Sequence, residues 1–144
     1  MARSSKQNRS IAGAAALTVV ASTAGCGEEA QPERAKNARI TVGSKTQTTR
    51  EVSCTQLEWS VIIETQSGPA RTRSFLQIGG EKPIAKTVDI HDFDGFSGVA
   101  GEGAGSADVS LANNAYVITG TAEGSDPENP GKTRTVPFRI ETPC

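Results

Sequence analysis

Hydrophobic and polar residues alternate along most of the chain from position 38 onward. Between positions 57 and 64, large hydrophobic residues occupy alternate positions, and most of the intervening residues are polar. This period of two is typical of a β-strand with one buried face, and no amphipathic helical stretch of useful length accompanies it. The pattern predicts about seven short strands, at 39–42, 57–64, 73–78, 85–90, 107–111, 116–122 and 133–141.

Residues that favour chain reversal separate these strands. Glycine and asparagine tolerate positive φ, and proline restricts φ, which suits tight turns. Asn113-Asn114 predicts a tight hairpin, and the segment 124–131 predicts another chain reversal. Short strands in this order predict an all-β fold, either an antiparallel β-sandwich or a partly open barrel. The other predicted turns are 67–69 and 79–80.

The expected core is poor in aromatic residues, which make up 4% of the chain. Val, Ile, Leu and Ala supply the rest of the core. Pro137 lies inside the last predicted strand and predicts an edge or a bulge there. The bulky core members are expected to be Trp59, Phe75, Phe93, Phe96, Tyr116 and Phe138.

The first 25 residues have the pattern of a secretory signal. Arg3, Lys6 and Arg9 precede an uncharged stretch of about twelve residues at 10–21. A helix that crosses a bilayer needs about twenty apolar residues, so this stretch predicts a cleaved export signal and not a permanent membrane span.

The next segment, Thr23-Ala24-Gly25-Cys26, resembles the lipobox of bacterial lipoproteins, with Thr23 where an aliphatic residue is usual. The resemblance implies cleavage between Gly25 and Cys26, a diacylglycerol on the Cys26 sulfur and acylation of the new amino terminus. The alternative is an ordinary signal cleaved near Ala24, which would leave Cys26 as a free thiol.

The cysteine count favours lipidation. Three cysteines in an exported chain leave one unpaired, and a free thiol is a liability in an oxidising compartment. Acylation of Cys26 removes the odd cysteine and leaves Cys54 and Cys144 as a pair. By the parity of the last strand, Cys144 lies on the same face as Phe138, so it can turn inward towards Cys54.

Charge and composition complete the predicted organisation: a signal peptide at 1–25, the lipidated cysteine and a tether at 26–37, and a β-domain at 38–144. Residues 27–37 contain no aliphatic larger than Ala and reach at most about 35 to 40 Å. Removal of residues 1–25 leaves 12 basic and 16 acidic residues, a formal charge of −4. This balance makes acyl chains the expected link to a membrane. The whole chain has a formal charge of −1 and 4% aromatic residues, which argues against nucleic-acid binding.

The carboxyl-terminal part of the chain resembles the mycobacterial 19 kDa lipoprotein antigen family. The resemblance rests on the glycine-rich segment 98–105, the run 115–122 (AYVITGTA), Asn129-Pro130 and the final Cys144, with supporting similarity at 39–42 and 52–55. It implies export, lipidation at Cys26, a Cys54–Cys144 disulfide, recognition by host receptors as an acylated antigen, and no enzymatic activity. The family has a glycosylated Ser/Thr-rich tether, whereas residues 27–37 contain neither residue type.

The segment 89–95 (DIHDFDG) is a polar cluster with residue types that occur in metal sites and catalytic sites. Asp92 and Asp94 could begin a calcium loop, but only Glu102 follows as a further acidic ligand. His91 could serve a nucleophile, but Ser97 lacks the spacing of a nucleophile elbow. The cluster therefore predicts a strand end with an Asp-Gly turn, without metal or catalysis.

Two further features of the sequence resemble parts of binding sites. The glycines of 101–105 resemble part of a phosphate-binding loop, but no Lys follows them, so they predict turns and no cofactor. Trp59 and Ile62 fall on opposite faces of their predicted strand, so one of them could line a ligand groove.

The expected function is a non-catalytic, lipid-anchored envelope protein on the extracytoplasmic face of the cell membrane, acting as a surface antigen or binding module. The alternative is a carrier or sensor of an envelope lipid or glycolipid.

Overall fold

The structure, a computed structural model, describes residues 37–144 and confirms the all-β class. These residues form ten β-strands and no helix. The strands are β1 (Ala38–Val42), β2 (Lys45–Thr49), β3 (Glu51–Leu57), β4 (Ser60–Ser67), β5 (Ala70–Gln77), β6 (Ile84–Phe93), β7 (Phe96–Gly101), β8 (Ser106–Ala112), β9 (Ala115–Asp126) and β10 (Asn129–Thr142).

All strands belong to one antiparallel sheet that is nearly closed into a barrel. The strand order is β2-β1-β10-β9-β7-β6-β5-β4-β3, and β8 pairs with β9 beside this path. The two edge strands, β2 and β3, are consecutive in the chain and are separated only by Arg50. At this seam the Thr49 hydroxyl donates a hydrogen bond to the Gln66 carbonyl. Of the two predicted architectures, the partly open barrel is therefore the one that forms.

Alternating side chains fill the barrel interior. Phe93, Phe96 and Phe138 are buried there, as predicted. Each large aliphatic side chain that leaves water contributes about 1.5–3 kcal/mol to folding, so these residues supply most of the driving force. The largest fully buried hydrophobic residues are Ile40, Ile63, Leu76, Val88, Ile90, Ile118 and Ile140.

The other three expected core residues are not fully buried, although Tyr116 packs against the core. Trp59 is 70% exposed, Phe75 is 38% exposed, and Tyr116 is only partly buried. The predicted strand 57–64 is interrupted by a turn, because Leu57 pairs with Ser60 and the chain reverses at positions 58–59. The hydrophobic alternation continues across this two-residue turn, so the period alone could not reveal the reversal.

Three strands escaped the sequence pattern. β2 consists of polar residues and buries only Thr49. β3 shows no hydrophobic alternation because, as an edge strand, it leaves nearly all its side chains exposed. β7 contains two glycines and so carries a weak strand signal.

The chain reversal predicted within 124–131 is confirmed, but the turn is short. β9 continues to Asp126 and β10 begins at Asn129, so only Pro127 and Glu128 lie between the strands. A register shift between Asn129 and Thr133 accommodates the extra residues of β10.

The prediction of an edge or a bulge at Pro137 is wrong, because β10 pairs on both sides and the register shift with β9 lies between Asn129 and Thr133. Its pairing with β1 begins at Phe138, one residue further on, and the Pro137 carbonyl accepts a hydrogen bond from the Gly43 amide. Since β1 ends before reaching Pro137, the missing proline N–H removes no ladder hydrogen bond there.

β9 changes its pairing partner along its length, and a glycine lies where the chain passes between the two partner strands. β9 pairs with β8 up to Thr121 and with β7 from Glu123 onward. The chain moves from β7 to β8 through Gly101 at φ 123°, where a Cβ atom would lie 2.2 Å from the Lys86 carbonyl oxygen. Glycine is required there by both the backbone angle and the close approach. The predicted role of the glycines of 101–105 as turn residues is confirmed.

A small group of hydroxyl side chains also faces the interior. The hydroxyls of Thr65 and Thr72 form a buried hydrogen bond of 2.6 Å across β4 and β5. Ser74 is fully buried on the same face of β5, and its hydroxyl has no hydrogen-bond partner. An unpaired buried hydroxyl costs free energy, whereas a paired one does not carry the same penalty.

We therefore expect Ser74→Ala to leave the free energy of unfolding unchanged or to raise it by about 1 kcal/mol. Urea denaturation of both proteins measures the difference. Thr72→Val is the matched control, because it leaves the Thr65 hydroxyl without its partner and should lower the free energy of unfolding by about 1–3 kcal/mol. A larger loss of unfolding free energy in Ser74→Ala than in Thr72→Val would contradict the finding that the Ser74 hydroxyl has no hydrogen-bond partner.

Candidate functional site

The outer face of strands β3 to β6 carries two rows of polar side chains. They arise because alternate residues of each strand point away from the core and because the register places them opposite one another. One row is Glu51, Gln66, Arg71 and His91; the next is Ser53, Glu64, Arg73 and Asp89.

These rows line an open groove of about 720 Å³. Three carboxylates, two guanidinium groups and one imidazole face it, so opposite charges largely balance. The Arg73 Nε atom lies 3.6 Å from the Glu64 carboxylate, and both side chains are more than half exposed. Such a pair contributes at most about 1 kcal/mol because water screens it. The groove can therefore contact a polar partner through several weak charged interactions.

Of this groove, only Asp89 and His91 belong to the polar cluster that is recognisable in the sequence. Glu51, Arg71 and Arg73 belong to other strands and meet β6 only through the sheet register. Their shared parity along β3 and β5 was visible in the sequence, but the pairing of the strands was not.

A second, smaller groove of about 200 Å³ lies outside β1 and β10. Its residues are Arg39, Thr41, Arg139 and Glu141, and an Arg139 guanidinium nitrogen lies 2.6 Å from the Glu141 carboxylate. Both grooves are open and polar, unlike the enclosed apolar cavities that bind lipids.

The same outer face becomes apolar towards the β3–β4 turn. Ile62 lies directly opposite Phe75, and Leu57 and Ile84 lie at the ends of β3 and β6. Of the two residues considered for a ligand groove, Ile62 is half-buried on this face, whereas Trp59 projects from the turn. Ligand binding by either residue stays a prediction.

The cluster at 89–95 forms the end of β6 and the turn to β7. Phe93 pairs with Phe96 across Asp94 and Gly95, which both adopt positive φ, so the predicted Asp-Gly turn is confirmed. The Asp92 amide donates to the Ser97 hydroxyl at 2.9 Å. Across residues 37–144, no three His, Cys, Asp or Glu side chains converge as metal ligands. The Glu102 carboxylate forms an ion pair with Lys86 Nζ at 2.9 Å.

A disulfide joins Cys54 of β3 to Cys144, two residues after the end of β10. The two Cα atoms are 6.0 Å apart. The bond ties an edge strand of the barrel to the carboxyl terminus, which is the pairing expected from the cysteine count and from the family resemblance.

The predicted cleavage and lipidation site at Gly25 and Cys26 lies outside the described residues. Within residues 37–144, no helix is long and apolar enough to span a membrane.

These features define a small all-β protein whose single, partly open barrel carries one disulfide. The chain belongs to the Mycobacterium 19 kDa lipoprotein antigen family, whose model matches residues 31–144. It is 32% identical to a putative lipoprotein of Mycobacterium avium subsp. hominissuis, over 96% of each chain. It is 30% identical to the probable lipoprotein LppE of Mycobacterium tuberculosis, over 90% of this chain and 92% of LppE. It is also similar to lipoprotein LpqH of Mycobacterium bovis, at 28% identity over 96% and 99% of the two chains. The predicted family is thus confirmed.

Proposed function

We propose that the protein is an exported lipoprotein, cleaved between Gly25 and Cys26 and held at the extracytoplasmic face of the cell membrane by acyl chains on Cys26. The observation that carries this proposal is the lipobox-like segment 23–26 in a chain whose relatives are named lipoproteins. Two acyl chains are enough for stable anchoring, whereas a single chain binds a membrane reversibly.

The disulfide supports this assignment. It uses Cys54 and Cys144, and the chain has three cysteines, so Cys26 is the one cysteine outside the disulfide. Its thiol is thus available as the acceptor of a diacylglycerol.

We infer that the β-domain acts as a non-catalytic binding or surface-presentation module. His91 lies on the exposed outer face opposite Arg71, and its row contains no serine or cysteine to activate. The charged groove on this face offers contacts to a polar partner. The alternative, an envelope-lipid carrier, needs an enclosed apolar cavity, but hydrophobic side chains pack together in the barrel interior.

The decisive variant is Cys26→Ala expressed in the native host. The parent protein should sediment with membranes and have the mass of residues 26–144 plus acyl groups and minus two hydrogens. The variant should lose the acyl mass and leave the membrane fraction. Cys144→Ala is the control, because it removes the disulfide but keeps the lipidation site and should stay membrane-bound. An unacylated parent chain, or a Cys26→Ala protein that remains in the membrane fraction, would refute lipidation at Cys26.

A further inference from the structure

The two arginines of the charged groove have different neighbours. Arg73 lies between two carboxylates, because the strand register places it opposite Glu64 of β4 and Asp89 of β6. Its Nε atom is 3.6 Å from the Glu64 carboxylate. The charge of Arg73 is therefore balanced by residues of the groove itself.

Arg71 belongs to the same face of β5 but has no such balance. The register places it opposite Gln66 of β4 and His91 of β6, an amide and an imidazole. Within residues 37–144, neither Arg71 nor His91 forms an ion pair. The carboxylates that flank Arg73 lie only diagonally from Arg71. We call Gln66, Arg71 and His91 the donor corner, since each of these side chains can donate hydrogen bonds.

The donor corner brings cationic groups together without an anion. Like charges directly opposite each other destabilise a sheet, whereas opposite charges stabilise it. A guanidinium has five N–H donors and no acceptor, and a protonated imidazole has two donors. Directly opposite side chains have Cβ atoms about 4.5–5.5 Å apart, so Arg71 and His91 can approach the same bound group. A negatively charged acceptor between them would turn this repulsion into attraction.

We propose that the donor corner binds an oxyanion, the carboxylate or phosphate group of a ligand that lies in the charged groove. This inference deepens the proposed binding role of that groove and rests on it. Carboxylate and phosphate groups accept two parallel hydrogen bonds from one guanidinium, and such charge-assisted bonds are about twice as strong as neutral ones. The His91 imidazole and the Gln66 amide donate to the remaining oxygen atoms.

The next row of the groove indicates what else the ligand carries. This row contains the Glu64 and Asp89 carboxylates and the Ser53 hydroxyl. All three accept hydrogen bonds from hydroxyl or ammonium groups. A groove of about 720 Å³ is also in the size range of small-molecule sites. The ligand class is therefore a small anion that also bears hydroxyl or ammonium groups.

Binding should be coupled to the protonation of His91. The charged groups around His91 are Arg71 on β5 and Asp89 and Asp92 on its own strand, and β7 on the other side has no charged residue. A bound anion favours the protonated imidazole. We expect a bound oxyanion to raise the midpoint of His91 protonation by at least about half a pH unit. An unchanged midpoint would contradict the role of His91.

The imidazole of His91 reports on the site directly, because His91 is the chain's only histidine. The protein would be labelled with heavy nitrogen in its native host and solubilised in an uncharged detergent for nuclear magnetic resonance. Sodium acetate and inorganic phosphate are titrated separately at constant ionic strength, with chloride as the balancing anion. We expect a saturable shift of the His91 imidazole signals with at least one of the two oxyanions.

Two arginine variants separate the donor corner from the general charge of the groove. Arg71→Gln should lower the affinity for the oxyanion by at least about tenfold. Arg73→Gln removes the same charge from the same face, but its guanidinium faces carboxylates, so the affinity should change by less than about threefold. Both arginines are exposed, so urea denaturation should show that both variants fold.

Two results would overturn the oxyanion site. One is a His91 signal that shifts no more with acetate or phosphate than with chloride. The other is an equal effect of the two arginine variants on affinity, which would indicate diffuse attraction by the whole groove. A shift with acetate alone assigns a carboxylate ligand, and a shift with phosphate alone assigns a phosphate ligand. Because the titration does not involve Cys26, its failure removes only the oxyanion site, and the mass measurement decides the proposed anchor separately.

Discussion

Replacing both disulfide cysteines, Cys54→Ala and Cys144→Ala, should lower the free energy of unfolding by about 4–5 kcal/mol. The bond links residues 90 positions apart, so in the unfolded chain it closes a loop that covers most of the described domain. Such a loop restricts the unfolded ensemble strongly, and its loss gives that ensemble back its conformational entropy. Small domains have little stability to spare, so this change approaches the whole stability of many of them.

Urea denaturation of the parent protein and the double variant measures this effect. Reduction of the parent protein with a thiol reagent should destabilise it by a similar amount. Cys26→Ala serves as the matched control, because it removes a cysteine that is outside the disulfide and should leave the urea midpoint unchanged. A loss below about 1 kcal/mol in the double variant would show that the bond does not stabilise the domain in this way.

Leu76→Ala should lower the free energy of unfolding by about 2–5 kcal/mol. Leu76 is fully buried on β5, in the middle of the β4–β5–β6 part of the sheet. Removing its branched end forfeits the transfer of those atoms out of water and leaves a cavity that a hydrogen-bonded sheet cannot readily collapse.

Leu57→Ala is the control with the same substitution. Leu57 ends β3 and is 58% exposed, so the expected change is within about 0.5 kcal/mol. The comparison of the two urea midpoints tests whether the inward face of the sheet, and not leucine content as such, holds the domain together. Equal losses in the two variants would contradict the described core.

The outer face of β3 to β6 differs from one end of these strands to the other. Exposed hydrophobic residues lie towards the β3–β4 turn, and the charged rows lie nearer the β4–β5 turn. One face of β3 to β6 thus changes from apolar to charged along its length.

Several conclusions required only the sequence. Alternation with a period of two determined the all-β class, because it matches the opposite faces of a strand. Asn113-Asn114 determined a hairpin turn, and both residues adopt the positive φ that such a turn needs. The cysteine count and the segment 23–26 together indicated which two cysteines would pair, and the structure joins those two.

Tertiary structure decided what local pattern could not contain. Strand register brought Arg71 beside His91 and Arg73 beside Asp89. The sequence of neither segment indicates which strand it pairs with. It also turned the chain at 58–59 and so moved Trp59 from the expected core to an exposed end. The physical reason is that alternation specifies only which face a residue occupies. Long-range hydrogen bonding between strands specifies which residues become neighbours on that face and where each strand ends.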